Sequence, residues 1–113
     1  MVLRRAAWVG LAMLGADAAA ADPIVGEWRT MDGSLADIGK CDAGFCIVMK
    51  TGDWPGRQIG ALKASTPGRY SGSVTDPRDD RTYSGRATLS GNTLKLTGCA
   101  LKIFCQTETW SRN

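Results

Sequence analysis

The stretch RTYSGRATLSGNTLKLTGC (residues 81–99) decides the fold. Tyr83, Gly85, Ala87 and Leu89 alternate with Ser84, Arg86 and Thr88, and Leu94 and Leu96 alternate with Lys95 and Thr97. A period of two puts each set on its own face of an extended strand. Between the two runs lies SGN (90–92), whose Gly and Asn admit the backbone conformations of a tight reversal. The stretch reads as a β-hairpin with one apolar face.

The same pattern continues in both directions. No segment after residue 22 carries an apolar period of 3.6, and short alternating runs are punctuated by MDGS, CDAGF, TGDWPG, STPG, DPRDD and ALKIF. Strands are expected near 24–30, 34–40, 45–50, 57–64, 69–75, 81–89, 93–99 and 105–112. Because every connection is short, the strands join most simply as successive hairpins. Closing such a meander removes its exposed edges. The expected fold is all-β, a small antiparallel up-and-down barrel of about eight strands. Ile24, Gly26 and Trp28 should face inward on the first strand, with Tyr83, Gly85, Ala87, Leu89, Leu94 and Leu96 on the sixth and seventh.

Residues 1–21 read differently. Arg4 and Arg5 precede an apolar run, Ala6–Leu14, and small residues then lead to Asp22. That order is that of a secretory signal peptide, and the run is shorter than the roughly 20 residues that span a bilayer. Residues 22–113 are then one domain in the periplasm or outside the cell. Loss of Arg4, Arg5 and Asp17 leaves +2 of the chain's +3 charge. So mild and mixed a balance argues against nucleic acid, and no later stretch is long and apolar enough for a membrane span.

The chain has four cysteines, Cys41, Cys46, Cys99 and Cys105, in two local pairs. In an exported domain of this size an even cysteine count reads as disulfides. A four-thiolate zinc site is the competing reading, but C-x4-C and C-x5-C are wider than the usual zinc knuckle. In an up-and-down meander the two local pairs lie at opposite ends of the barrel. Cross-pairing would have to span the barrel, whereas a disulfide needs Cα atoms within about 7 Å. The expected bridges are Cys41–Cys46 and Cys99–Cys105. If Cys41 and Cys46 sit opposite each other across DAGF, both occupy one face, and Ala36, Ile38, Phe45, Ile47 and Met49 share the other, inward face.

The most charged run, TDPRDDRTY (75–83), reads mainly as a solvated turn. Asp76 can accept bonds from the turn's N–H groups and Pro77 fixes φ for the next step. A metal or anion site is the alternative. Three acids beside two arginines fit poorly the dedicated oxygen-rich loop that calcium requires.

Taken together, GEWRT, CDAGFCIVMK, DPRDDRTYSGRATLSGNTLKLTGC and TETWSR resemble the exported bacterial family named domain of unknown function 2147. The resemblance covers most of residues 24–112. It implies a calycin-like barrel, akin to lipocalins and streptavidin, and implies no activity. The chain departs from the family's pattern in a shortened segment, TGDWPGRQIG, and in Asp80, where Gly is usual. Asp tolerates the left-handed conformation better than most residues.

The ends of the domain carry a second feature. Gly26-x-Trp28 on the first strand and Arg112 on the last resemble the lipocalin closure, in which the cation lies over the indole face. Trp110 shares a face with Gln106, Glu108 and Arg112, and the alternation leaves open whether that face or the Thr107, Thr109, Ser111 face points inward. The odd-numbered connections gather Trp54, Arg57, Asp76, Arg78 and Arg81 at one mouth with Leu101, Ile103 and Phe104.

The chain contains no histidine, which removes the usual catalytic triads and most metal hydrolases. A non-enzymatic binding protein without a cofactor is expected. One reading is a module for a small apolar or amphipathic ligand, with Trp28, Phe45, Trp54, Tyr83, Phe104, Trp110 and Arg112 as candidate contacts. The other is an envelope interaction or inhibitor module that works through a loop end. A hollow interior favours the first and a solid one the second.

Overall fold

The computed structural model describes residues 22–101 and 103–113, so the expected leader over 1–21 lies outside the described residues. Eight strands form a closed antiparallel barrel in chain order: β1 (Gly26–Arg29), β2 (Leu35–Cys41), β3 (Gly44–Met49), β4 (Gln58–Thr66), β5 (Arg69–Asp76), β6 (Arg81–Ser90), β7 (Thr93–Ala100) and β8 (Phe104–Arg112). The 81–99 hairpin pairs Ala87 with Leu96 and Leu89 with Leu94, the inward apolar set read from the sequence.

Two local expectations need correction. The first strand is shorter than 24–30. Asp22 bends the chain just before it, accepting bonds from the Ile24 N–H (3.0 Å) and the Val25 N–H (2.9 Å). A turn at Thr30–Gly33 ends the strand, held by the Gly33 N–H on the Thr30 carbonyl. In the β2–β3 hairpin, Cys41 lies opposite Gly44 and Cys46 opposite Gly39, so the two cysteines are diagonal and not directly opposed. A tight turn at Asp42–Ala43, with Asp42 at φ 45°, sets that register. The shift keeps parity, so Ala36, Ile38, Phe45, Ile47 and Met49 still share the inward face, with Ile38 now opposite Ile47 and Ala36 opposite Met49.

The core is Ile24, Trp28, Ala36, Ile38, Phe45, Ile47, Leu62, Tyr70, Ala87, Leu94, Leu96 and Trp110, all buried. Phe45 meets Tyr70 edge-to-face, with centroids 5.7 Å apart. Trp110 lies opposite Leu94 and is buried, so the Gln106, Glu108, Trp110, Arg112 face is the inward one. One inward row contains almost no side chain: Gly72 pairs with Gly85, and Gly85 with Gly98. Val74 lies over it. A Cβ added at Gly85 or Gly98 would sit 3.0 or 2.9 Å from its methyl carbons. Along this row the Val74 side chain fills the space that the glycines leave.

Both disulfides form as expected. Cys41–Cys46 braces one end, with Cα atoms 5.8 Å apart, and Cys99–Cys105 the other, at 4.0 Å. Each closes a loop of a few residues, for which chain entropy gives about 2 kcal/mol. The double substitution Cys99→Ser with Cys105→Ser should lower unfolding free energy by about that amount, read as a lower urea midpoint at unchanged slope. A variant with the wild-type midpoint would mean that the bridge adds nothing to stability.

Candidate functional site

The barrel is sealed where β1 meets β8. Trp28 lies opposite Arg112, whose guanidinium carbon stands 4.2 Å from the centre of the indole ring. Trp28 is fully buried, and its indole N–H donates to the Ile24 carbonyl at 2.9 Å. Arg112 also donates to the carbonyl of Pro23 at 2.7 Å. Tyr70, absent from the sequence-based candidates, closes the same end: its hydroxyl donates to the Asp22 carboxylate, and burial first, then that contact, pushes its pKa well above the ordinary tyrosine range. The alternation Tyr70–Gly72–Val74 was the signal available for it.

Of the candidate contacts, Trp28, Phe45 and Trp110 stand within the packed core. The Trp110 indole N–H donates to Glu108 at 2.9 Å. Tyr83 is half-buried and faces inward beside Val74, on the far side of the glycine row from most of the core. Trp54 is half-buried in the β3–β4 connection. Phe104 is 66% exposed at the start of β8. Arg112 belongs to the seal. The candidates therefore divide into a closed core group and a mouth group, and do not ring one cavity.

The odd-numbered connections do share one mouth. Arg57, the last residue of the β3–β4 connection, pairs with Asp80 of the β5–β6 turn. In that turn Asp76 accepts the Arg78 N–H at 2.9 Å and its guanidinium at 2.7 Å, and Asp79 accepts the Arg81 N–H at 3.1 Å. The guanidinium and the N–H of Arg78 hold the Asp76 carboxyl below its ordinary pKa. Asp80 takes φ 66°, as the turn reading requires. The carboxylates of Asp76 and Asp79 are thus engaged by the turn itself.

Apolar residues lie beside these charges. Leu101, Ile103 and Phe104 are 82%, 73% and 66% exposed, on the loop braced by Cys99–Cys105. Leu101 holds φ 54°, a conformation that costs a residue with a Cβ about 1–2 kcal/mol. A shallow open depression of about 590 Å³, lined by Tyr83, Cys99, Ala100 and Leu101 among others, adjoins the loop.

An eight-stranded up-and-down barrel sealed by a Trp–Arg pair is a calycin-like architecture. Residues 26–112 match the family described as "Uncharacterized protein conserved in bacteria (DUF2147)", and the chain belongs to it. No curated protein and no solved structure matches the chain significantly. Two disulfides in a chain of a bacterial family point to an oxidising compartment outside the cytoplasm.

Proposed function

We propose that this protein is an exported contact module of the cell envelope, delivered to the periplasm by its 1–21 leader, that works through its open end and not through an internal ligand cavity. The carrying observation is the loop Leu101–Phe104. A disulfide holds it, its apolar side chains face solvent, and Leu101 keeps a backbone conformation that Gly would adopt at lower cost. Neither burial nor backbone preference accounts for these side chains. Exposed apolar groups gathered on a disulfide-braced loop beside charged turns are the usual composition of a contact surface. The filled core and the Val74-covered glycine row weigh against the carrier reading.

Leu101→Gly separates the two demands on the loop. It should stabilise the barrel by up to about 1 kcal/mol by relieving the positive φ. It should also weaken the contact. The test is a photo-crosslinking side chain at Ile103 in the exported full-length protein, together with native mass spectrometry of the same preparation. Protein adducts from position 103 that Leu101→Gly diminishes are expected. A small molecule that travels with the barrel and survives Leu101→Gly, with no protein adduct, would return the function to ligand carriage.

A further inference from the structure

We infer that the free edge of β8 pairs antiparallel with the same edge of a second copy of this chain, centred on Thr107. The inference builds on the contact-surface reading and names one partner for it. Its origin is the unequal length of the strands that seal the barrel. β1 has four residues and β8 nine, and their pairing consists of Trp28 with Arg112 and Arg29 with Ser111. Beyond Ser111 the chain of β1 turns away at Thr30–Gly33. From Phe104 to Trp110, β8 therefore has β7 on one side and, among the described residues, no strand on the other.

The ladder fixes which backbone groups are left over. The Arg112 N–H donates to Asn92 on the β7 side, and the Asn113 N–H donates to Glu27 on the β1 side. In an antiparallel ladder this direction alternates along the strand, so the odd residues of β8 turn their N–H and C=O toward β1. Cys99 and Cys105 agree: a Cα separation of 4.0 Å is that of a pair without mutual hydrogen bonds. The hydroxyls of Thr97 and Thr107 meet at 2.8 Å across another such pair. Cys105, Thr107 and Thr109 thus present N–H and C=O groups to a side with no strand among the described residues. Natural edges are commonly blunted by Lys, Pro or a bulge. Residues 104–110, FCQTETW, contain no Lys or Pro, the β7–β8 register runs without a shift, and the one charge, Glu108, accepts the Trp110 indole N–H.

The edge is complementary to itself. With Thr107 opposite Thr107 of the second copy, Cys105 meets Thr109, and the free groups of all three residues pair in about six backbone hydrogen bonds across the dyad. Gln106 then faces Glu108, an amide donor against a carboxylate, and no like charges oppose. Phe104 faces Trp110. The chain's exposed large apolar residues also fall into place. Met31, 67% exposed, follows the end of β1 beside one end of the free edge, and Leu101, Ile103 and Phe104 lie at the other. Antiparallel pairing brings each of these groups against the other on the second copy. The register uses no group already bonded to β1.

The test is the solution mass of the oxidised, exported protein by light scattering from micromolar to millimolar concentration, for the wild type and Thr107→Pro. A dimer is expected for the wild type. Thr107→Pro should be a folded monomer, because the lost N–H points away from β7 and an edge strand accepts proline there; its melting temperature should fall only modestly, through loss of the Thr97 hydroxyl contact and of the dimer. Thr107→Cys supplies a second readout. Mild oxidation should link it across the dyad, where Cα atoms stand about 5.5 Å apart, while Lys63→Cys on β4 should remain unlinked. A wild type that is monomeric throughout, or a dimer that Thr107→Pro leaves intact without a Thr107→Cys link, would overturn the pairing. A monomer that still crosslinks from position 103 to another protein would overturn it and leave the contact-surface reading standing. A β8-linked dimer with no contact at 103 would do the reverse.

Discussion

Trp28→Ala should remove a large share of this barrel's stability. Truncating a buried Trp costs about 3–5 kcal/mol, and a domain of this size has only about 5–13 kcal/mol in all. Three losses combine at this residue. The fully buried ring leaves a void, the Ile24 carbonyl loses its 2.9 Å indole donor, and the Arg112 guanidinium loses the face 4.2 Å beneath it. Trp28→Leu keeps apolar volume but removes the π face, so it is the better arm of a double-mutant cycle with Arg112→Ala. A coupling of about 1–2 kcal/mol is expected if the cation–π contact is desolvated. Denaturation midpoints of wild type, both single variants and the double variant give the number. Additive effects would mean that Arg112 stabilises only through the carbonyls of Pro23 and Val25 and that the ring contributes packing alone.

That pair was legible in the sequence because closure of a meander obliges its first and last strands to meet. The inward sets of β6 and β7 were legible because parity is a local property. What parity leaves free was not legible. The Cys41–Cys46 hairpin could slide by two residues without moving one side chain to the other face, and the turn at Asp42–Ala43 decided it. The face of Trp110 was undecided because Gln106 and Glu108 flank it as Thr107 and Thr109 flank the alternative. Burial opposite Leu94, a non-local contact, decided that. The free edge of β8 was hidden for a related reason. Expected strands 24–30 and 105–112 looked nearly equal, and only the turns at Asp22 and at Thr30–Gly33 cut β1 to four residues and exposed its neighbour.

Gly72→Ala should cost about 3 kcal/mol, at the upper end of what overpacking usually does, although the change adds one methyl group and favours the unfolded chain less than Gly does. The reason is the atom that the methyl would meet. A Cβ on Gly72 would stand 2.0 Å from the carbonyl oxygen of Ala61, with Ala61 C and Leu62 Cα at 3.0 Å. These are backbone atoms of β4, paired along β5, so no rotamer change can yield and the whole β4–β5 ladder must open. Gly98 is the control. Its Cβ would meet the Val74 Cγ2 at 2.9 Å, and a side-chain tip can turn aside. Gly98→Ala should therefore cost under about 1 kcal/mol, and Val74→Ala in the same chain should abolish that cost, whereas it should not rescue Gly72→Ala. Urea midpoints of these variants decide the matter. Equal effects at Gly72 and Gly98 would mean that β4 does not press on β5 at this row. The close approach of the two strands would then not be what requires glycine at position 72.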